Sequence, residues 1–168
     1  MLILNRQVGQ TVYIGHDVCV TVFGKFDDHT TIGVLAPPAA IVRFGDAVVT
    51  PTILDSGERF YLLTLLSGKG FAIDATEVRV KFGSARLSTF GARSKHVQFA
   101  IQAPAHLAVH REEIYTQIQA AAGLHTPAVS FAKRLQRANA SVSGRHWATL
   151  PWASAGACAP ANAEFIFT

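Results

Sequence analysis

The sequence predicts a mainly β chain: two units of five short strands forming a pseudo-dimeric antiparallel structure, one helix after the second unit, and a partly helical or disordered tail. Three observations predict it. Short apolar runs alternate with polar residues at period two and are broken by Gly and Pro at close intervals. The strand order occurs twice, with Gly33-Val34-Leu35-Ala36-Pro37 and Ala100-Ile101-Gln102-Ala103-Pro104 at the same place in each unit. Within the two units helical periodicity arises once, in the second, where Ile114 and Ile118 are four apart and Gly123 stands where a left-handed cap belongs.

In order, Leu2-Ile3-Leu4 is a first strand running into Asn5-Arg6-Gln7, and Thr11 to Ile14 a second, closed by Gly15-His16-Asp17. Val18, Val20 and Val22 alternate with Cys19 and Thr21 in a half-buried third strand. Gly24 to His29 has hairpin composition, Thr30 to Leu35 is the fourth strand, and Ala40 to Arg43 the fifth. Residues 47–59, with Thr50-Pro51 and Asp55-Ser56-Gly57, read as a linker between a first copy at 1–46 and a second at 60–123. In the second copy Tyr61 to Leu66, Phe71 to Ile73, Glu77 to Phe82 and His96 to Gln102 are strands. A last segment, Leu107-Ala108-Val109, leads into His110-Arg111-Glu112-Glu113, which opens the helix. The tail, 124–168, starts with a basic amphipathic stretch (Ala128, Phe131, Ala132 and Leu135 on one face) and continues rich in Ala, Ser, Gly and Pro.

A chain of 168 residues, 49% hydrophobic and 15% charged, is long enough for a buried core. Its net charge of +4 mildly favours an anionic partner. Cys19 and Cys158 show neither metal nor redox spacing, and no nucleophile motif is present. No cofactor and no enzymatic activity are expected. Without a signal pattern or a run of the roughly 18–20 apolar residues a membrane span needs, the expectation is a cytoplasmic protein.

The front of the chain, Met1-Leu2-Ile3-Leu4-Asn5-Arg6-Gln7-Val8-Gly9-Gln10-Thr11 and Ile32-Gly33-Val34-Leu35-Ala36-Pro37, resembles the start of the CsrA/RsmA carbon storage regulators. Ala103-Pro104 and Ala108-Val109-His110-Arg111-Glu112-Glu113-Ile114-Tyr115 resemble the end of the same family. The resemblance implies a bacterial post-transcriptional regulator that binds GGA motifs in hairpin loops of mRNA or small RNA. It further implies an intertwined dimer in which each RNA site combines the first strand of one protomer with the fifth of the other. Here both protomers lie in one chain, so a monomeric pseudo-dimer is expected. A flagellar-assembly-type protein antagonist is a further partner by resemblance.

On that basis the RNA-binding candidates are Leu4, Asn5, Arg6, Pro104, Leu107, Val109, His110 and Arg111. Arg6 and Arg111 are suited to bidentate bonds with phosphate or guanine edges. Leu4, Leu107 and Val109 offer apolar contact to unstacked bases, and the backbone near Pro104 to Leu107 offers base-edge hydrogen bonds. His110 reads as a strand-end hydrogen-bonding residue. Paired with neighbouring carboxylates such as Glu112 or Glu113, the two arginines would instead be structural. The reciprocal site departs from the pattern: Thr64-Leu65-Leu66 has no arginine, and Phe44 stands where the key Arg belongs. One functional site per chain is therefore expected. A protein-interaction module that has lost specific RNA binding is the alternative.

Overall fold

Period-two alternation decides which side chains meet, and strand pairing decides which chain segments they come from. The computed structural model describes residues 1–26, 29–74, 77–84 and 96–123; the tail expected at 124–168 lies outside them. Twelve strands and one helix follow in order: β1 (Leu2–Arg6), β2 (Thr11–Ile14), β3 (Val18–Lys25), β4 (His29–Ala36), β5 (Val42–Phe44), β6 (Ala47–Val48), β7 (Thr52–Ile53), β8 (Arg59–Leu66), β9 (Gly70–Ile73), β10 (Val78–Ser84), β11 (Val97–Gln102), β12 (Val109–Arg111) and α1 (Glu112–Ala121).

They form two six-stranded antiparallel sheets. One runs β1-β11-β10-β9-β5-β6, the other β12-β2-β3-β4-β8-β7. Each sheet takes its three central strands from one half of the chain and its flanking first and fifth strands from the other. Neither half could close its own sheet, because β1 pairs with β11 and β5 joins its sheet through β9, both beyond residue 69. The exchange makes the two halves one folding unit. Equivalent positions can be read from the register. Leu4 lies opposite Phe99, four residues before Ala103, and Leu63 lies opposite Ile32, four residues before Ala36. By the same count Arg6 and Leu65 are twins, as are Arg111 and Phe44.

The inner faces of the sheets share one core, in which Val20, Val34, Tyr61, Ile73, Val80 and Phe99 are almost wholly buried. Truncating such a residue to alanine costs about 2–5 kcal/mol. The outer faces differ. On the second sheet Tyr13, Cys19 and Leu35 form a smaller cluster, covered by Tyr115 of α1 and by Leu54. Cys19 is buried there, so Val18–Val22 of β3 are buried on both faces rather than half-buried as expected. The first sheet instead turns Arg79 and Lys81 to solvent on its outer face, and no helix among the described residues covers it. Where the second half starts α1, the first half turns back at Gly45 (φ 59°) and Asp46, so that β6 pairs onto β5. That positive φ is incompatible with a right-handed helix and suits a tight hairpin turn.

Several strand ends shift by one or two residues from the sequence expectation, and four differences have a physical reason or consequence. The linker at 47–59 is not bare connection: it contains β6, β7 and the first residue of β8. The fifth strand starts at Val42 rather than Ala40, because Ala40 N–H closes a turn onto the Pro37 carbonyl (2.9 Å). β12 starts at Val109, not Leu107, and His110 and Arg111 belong to it; the helix begins one residue later, at Glu112. Ile114 and Ile118 share a helix face, but that face points outward, with both residues over 40% exposed. Tyr115 is the residue that docks α1.

Candidate nucleic-acid interface

β1 is an edge strand of one sheet and β12 an edge strand of the other. Alternation along β1 sends Leu4 and Arg6 inward and leaves Ile3 and Asn5 on the outer face. Leu4 is a core residue, and Asn5 is exposed opposite Gln98. Arg6 was expected to present its guanidinium to a ligand. Instead it is only 2% exposed, since period two commits position 6 to the same interior as position 4.

The buried guanidinium is held from the helix. Nη1 donates to Glu113 Oε1 at 3.0 Å and more weakly to Gln10 Oε1 at 3.5 Å. Nε and Nη2 have no acceptor among the described residues. Glu113 itself is more than half exposed. A backbone hydrogen bond at the start of α1, and secondarily the Arg6 guanidinium, hold its carboxyl below the usual glutamate range, outweighing the rise from its slight burial. This pair ties the end of β1 to the first turn of α1, directly after β12. It is the contact that brings the two edges together. Glu112 and Glu113 also place negative charge at the positive end of the helix.

Around the end of β1 a polar cluster extends the site. Gln10 Oε1 accepts the Gln7 backbone N–H at 2.9 Å, Gln7 Nε2 meets His96 Nε2 at 2.9 Å, and Lys25 Nζ donates to the His96 carbonyl at 2.9 Å. Glu113 was singled out from sequence, as a carboxylate that would make the arginines structural, and for Arg6 that pairing is the one observed. Gln10, Lys25 and His96 were not among the residues singled out from sequence. Their only signal is spatial, since His96 lies 89 residues from Gln7.

The approach to β12 is a turn. Leu107 N–H donates to the Pro104 carbonyl at 3.0 Å, and the Ala108 carbonyl accepts from Gly15 N–H at 2.8 Å. Leu107 rests over Gly15, where a Cβ would sit 3.2 Å from its Cδ2 and where φ is +63°. Leu107 and Val109 are half-buried and pack on the core. His110 is opposite Tyr13, under the side of the sheet that α1 covers. There Tyr115 stacks on Tyr13 (4.2 Å, 6°) and its hydroxyl meets His16 Nδ1 at 3.1 Å. Arg111, the last residue of β12, is exposed. Of the two candidate arginines it alone can reach a ligand without rearrangement.

The reciprocal place is built differently. Leu65, 3% exposed, replaces Arg6, and Phe44 replaces Arg111. Arg43 Nε is engaged by the Asp74 carboxylate. The Ala40 carbonyl, twin of Leu107's, accepts from Tyr61 Oη (2.8 Å) and Arg59 Nη1 (3.1 Å).

Against this geometry, residues 1–43 match the family model of CsrA, described as a global regulator protein family. The first 43 of the chain's 168 residues are CsrA-like. The match ends two residues into the fifth strand, before the first half departs from the pattern at Phe44 and Gly45. No solved structure matches the chain. Among the described residues no group of three or more His, Cys, Asp or Glu side chains is placed to hold a metal ion. No described helix is long and apolar enough to cross a membrane.

Proposed function

We propose that this protein is a CsrA-like RNA-binding post-transcriptional regulator that recognises GGA motifs in hairpin loops, through one site formed by β1 and β12. One observation supports this above the others. Two edge strands from opposite halves of the chain are tied end to end by Arg6 and Glu113, with Arg111 exposed beside them. Free backbone groups on strand edges suit the Watson–Crick edges of splayed loop bases, and an exposed arginine suits a phosphate or guanine. In this reading Arg111 contacts the RNA, together with backbone groups around Pro104 to Leu107. Arg6 is a positioning residue that fixes β1 against α1. Leu4 and Val109 hold their strands through the core, and Asn5 and His110 are polar contacts at the flanks. Control of translation initiation or mRNA stability would follow from masking a loop.

The burial of Arg6 and the loss of both arginine positions in the reciprocal place favour a second reading, a protein-interaction module on the same fold. An electrophoretic shift titration with a GGA-loop hairpin and a CCA-loop control separates them. Preference for GGA by tenfold or more supports the RNA reading; equal, weak binding of both hairpins selects the module.

A further inference from the structure

The linker does more than join the two halves. It is folded as two back-to-back hairpins, and only residues 49–51 cross between the sheets. In the first hairpin β6 pairs with β5: Val48 lies opposite Arg43, Ala47 lies opposite Phe44, and Val49 N–H donates to the Val42 carbonyl at 2.9 Å. Those three β5 residues are the twins of Val109, His110 and Arg111. The edge that β12 leaves open is therefore taken, on the other side of the molecule, by the chain's own backbone. In the second hairpin β7 pairs with the start of β8, at Phe60 and Arg59. Arg59 and Tyr61 then occupy the Ala40 carbonyl, in the loop corresponding to Pro104–Leu107. Val49 and Leu54 anchor the linker, one against the shared core and one in the outer cluster.

We infer that residues 45–54 act as an internal ligand that closes the fifth-strand half of the reciprocal site. The chain would then offer one fifth-strand edge for RNA, and its single-site character would be set by backbone pairing as well as by missing cations. A strand edge can be hydrogen-bonded only once. RNA bases and β6 therefore compete for the same groups of β5, and β6 is covalently tethered at a two-residue turn. Such a tether gives a high effective concentration that an RNA in solution would have to overcome.

This inference rests on the reading of β1 and β12 as an RNA site, and its test separates the two. Phe44→Arg restores the cation of the reciprocal site at an exposed position. Calorimetric titration with a single-loop GGA hairpin is expected to give one RNA per chain for the natural protein and still one for Phe44→Arg. It is expected to give two when Phe44→Arg is combined with five-for-five replacement of residues 46–50 by glycine and serine. Two RNAs on Phe44→Arg with its linker intact would overturn the inference, and so would one RNA on the opened variant while it keeps the native circular dichroism. Should the opened variant not fold, hydrogen exchange on the natural protein decides. The Val49 amide should exchange at least about a hundredfold slower than an unprotected amide, in the free and RNA-bound protein alike. Exchange at the unprotected rate, or protection lost on adding RNA, would overturn the inference. If no variant binds RNA, the RNA reading fails, while the Val49 amide still reports whether the edge is closed.

Discussion

Replacing Arg6 by leucine should stabilise this protein, whereas replacing its partner Glu113 by glutamine should destabilise it. Arg6 carries a buried charge with one good acceptor, and its Nε and Nη2 have none among the described residues. Buried donors left without partners cost about 1–3 kcal/mol each, more when charged. Exchanging a buried ionic group for an apolar one of similar volume is often neutral or stabilising by about 1–4 kcal/mol. The fold already holds that apolar solution, since Leu65 occupies the twin position at 3% exposure. Glu113 is 57% exposed and rehydrates when its partner is lost. Arg6→Leu is thus expected to gain about 1–3 kcal/mol. Glu113→Gln keeps the buried cation and weakens its only charged acceptor. A charged hydrogen bond is worth about 1.5–3 kcal/mol, and solvent screening reduces that here to about 1–2 kcal/mol. Urea unfolding followed by circular dichroism reads both; with a slope near 2 kcal/mol/M, the midpoints should move in opposite directions by roughly 0.5–1.5 M. Arg6→Leu proving the more destabilising of the two by over about 1 kcal/mol would refute the argument. A pH series adds a check. The Glu113 carboxyl is held below 4.5 in the fold, so its contribution is complete above the unfolded value and is lost as pH falls below about 4.5. Glu113→Gln should lack that part of the acid loss.

Arg111→Ala should weaken GGA-hairpin binding roughly tenfold to a hundredfold, the worth of one charged hydrogen bond, without moving the unfolding midpoint; Arg43→Ala, whose guanidinium is engaged by Asp74, should leave binding within about twofold. Tyr115→Ala removes the stack on Tyr13 and should cost about 2–4 kcal/mol, less than full aromatic truncation because Tyr115 lies at the cluster's rim; calorimetric unfolding measures it. Light scattering at micromolar concentration should find a monomer, because both sheets are completed within one chain. Deleting residues 124–168 should leave the unfolding midpoint within about 1 kcal/mol, since the described core closes before Gly123; a larger drop would mean that residues such as Phe131 and Leu135 cover core surface.

Where periodicity runs for a whole strand, the fold was legible. Val18, Val20 and Val22 face the core, and the repeated Ala-Pro landmarks correctly marked where β4 and β11 end. The linker strands were not legible, because two-residue strands such as Ala47–Val48 carry no periodicity and are stabilised only by the edges they cover. At the candidate site the arginines were found by type and the burial of Arg6 was missed. The same alternation that put Leu4 inside puts Arg6 inside, yet its charge argued for the surface. What permits the burial is Glu113, 107 residues away; it was named from sequence as a candidate carboxylate partner, but for a surface arginine rather than a buried one. Arg111 was assigned to the opening of the helix because the charged cluster looks helical; pairing with β2 extends the strand through it.

The covalent joining of two halves also explains why the molecule can be so unequal. In a homodimer every substitution appears twice, so a change that closes one site closes both. In one chain the shared core constrains only the inner-face residues, which among those described remain apolar on both sides apart from Arg6 and Thr30. The outer faces and edges are free to diverge, and they have. Arg79 and Lys81 make one outer face polar, removing the surface a helix would cover; Gly45 then turns the chain where α1 would have begun, and the released segment pairs with β5. On the other side Tyr13 keeps an aromatic floor, Tyr115 docks on it, and Glu113 reaches Arg6. The helix and the open edge therefore persist together at one end, because α1 carries the chain away from β12 and no strand among the described residues pairs with its outer edge.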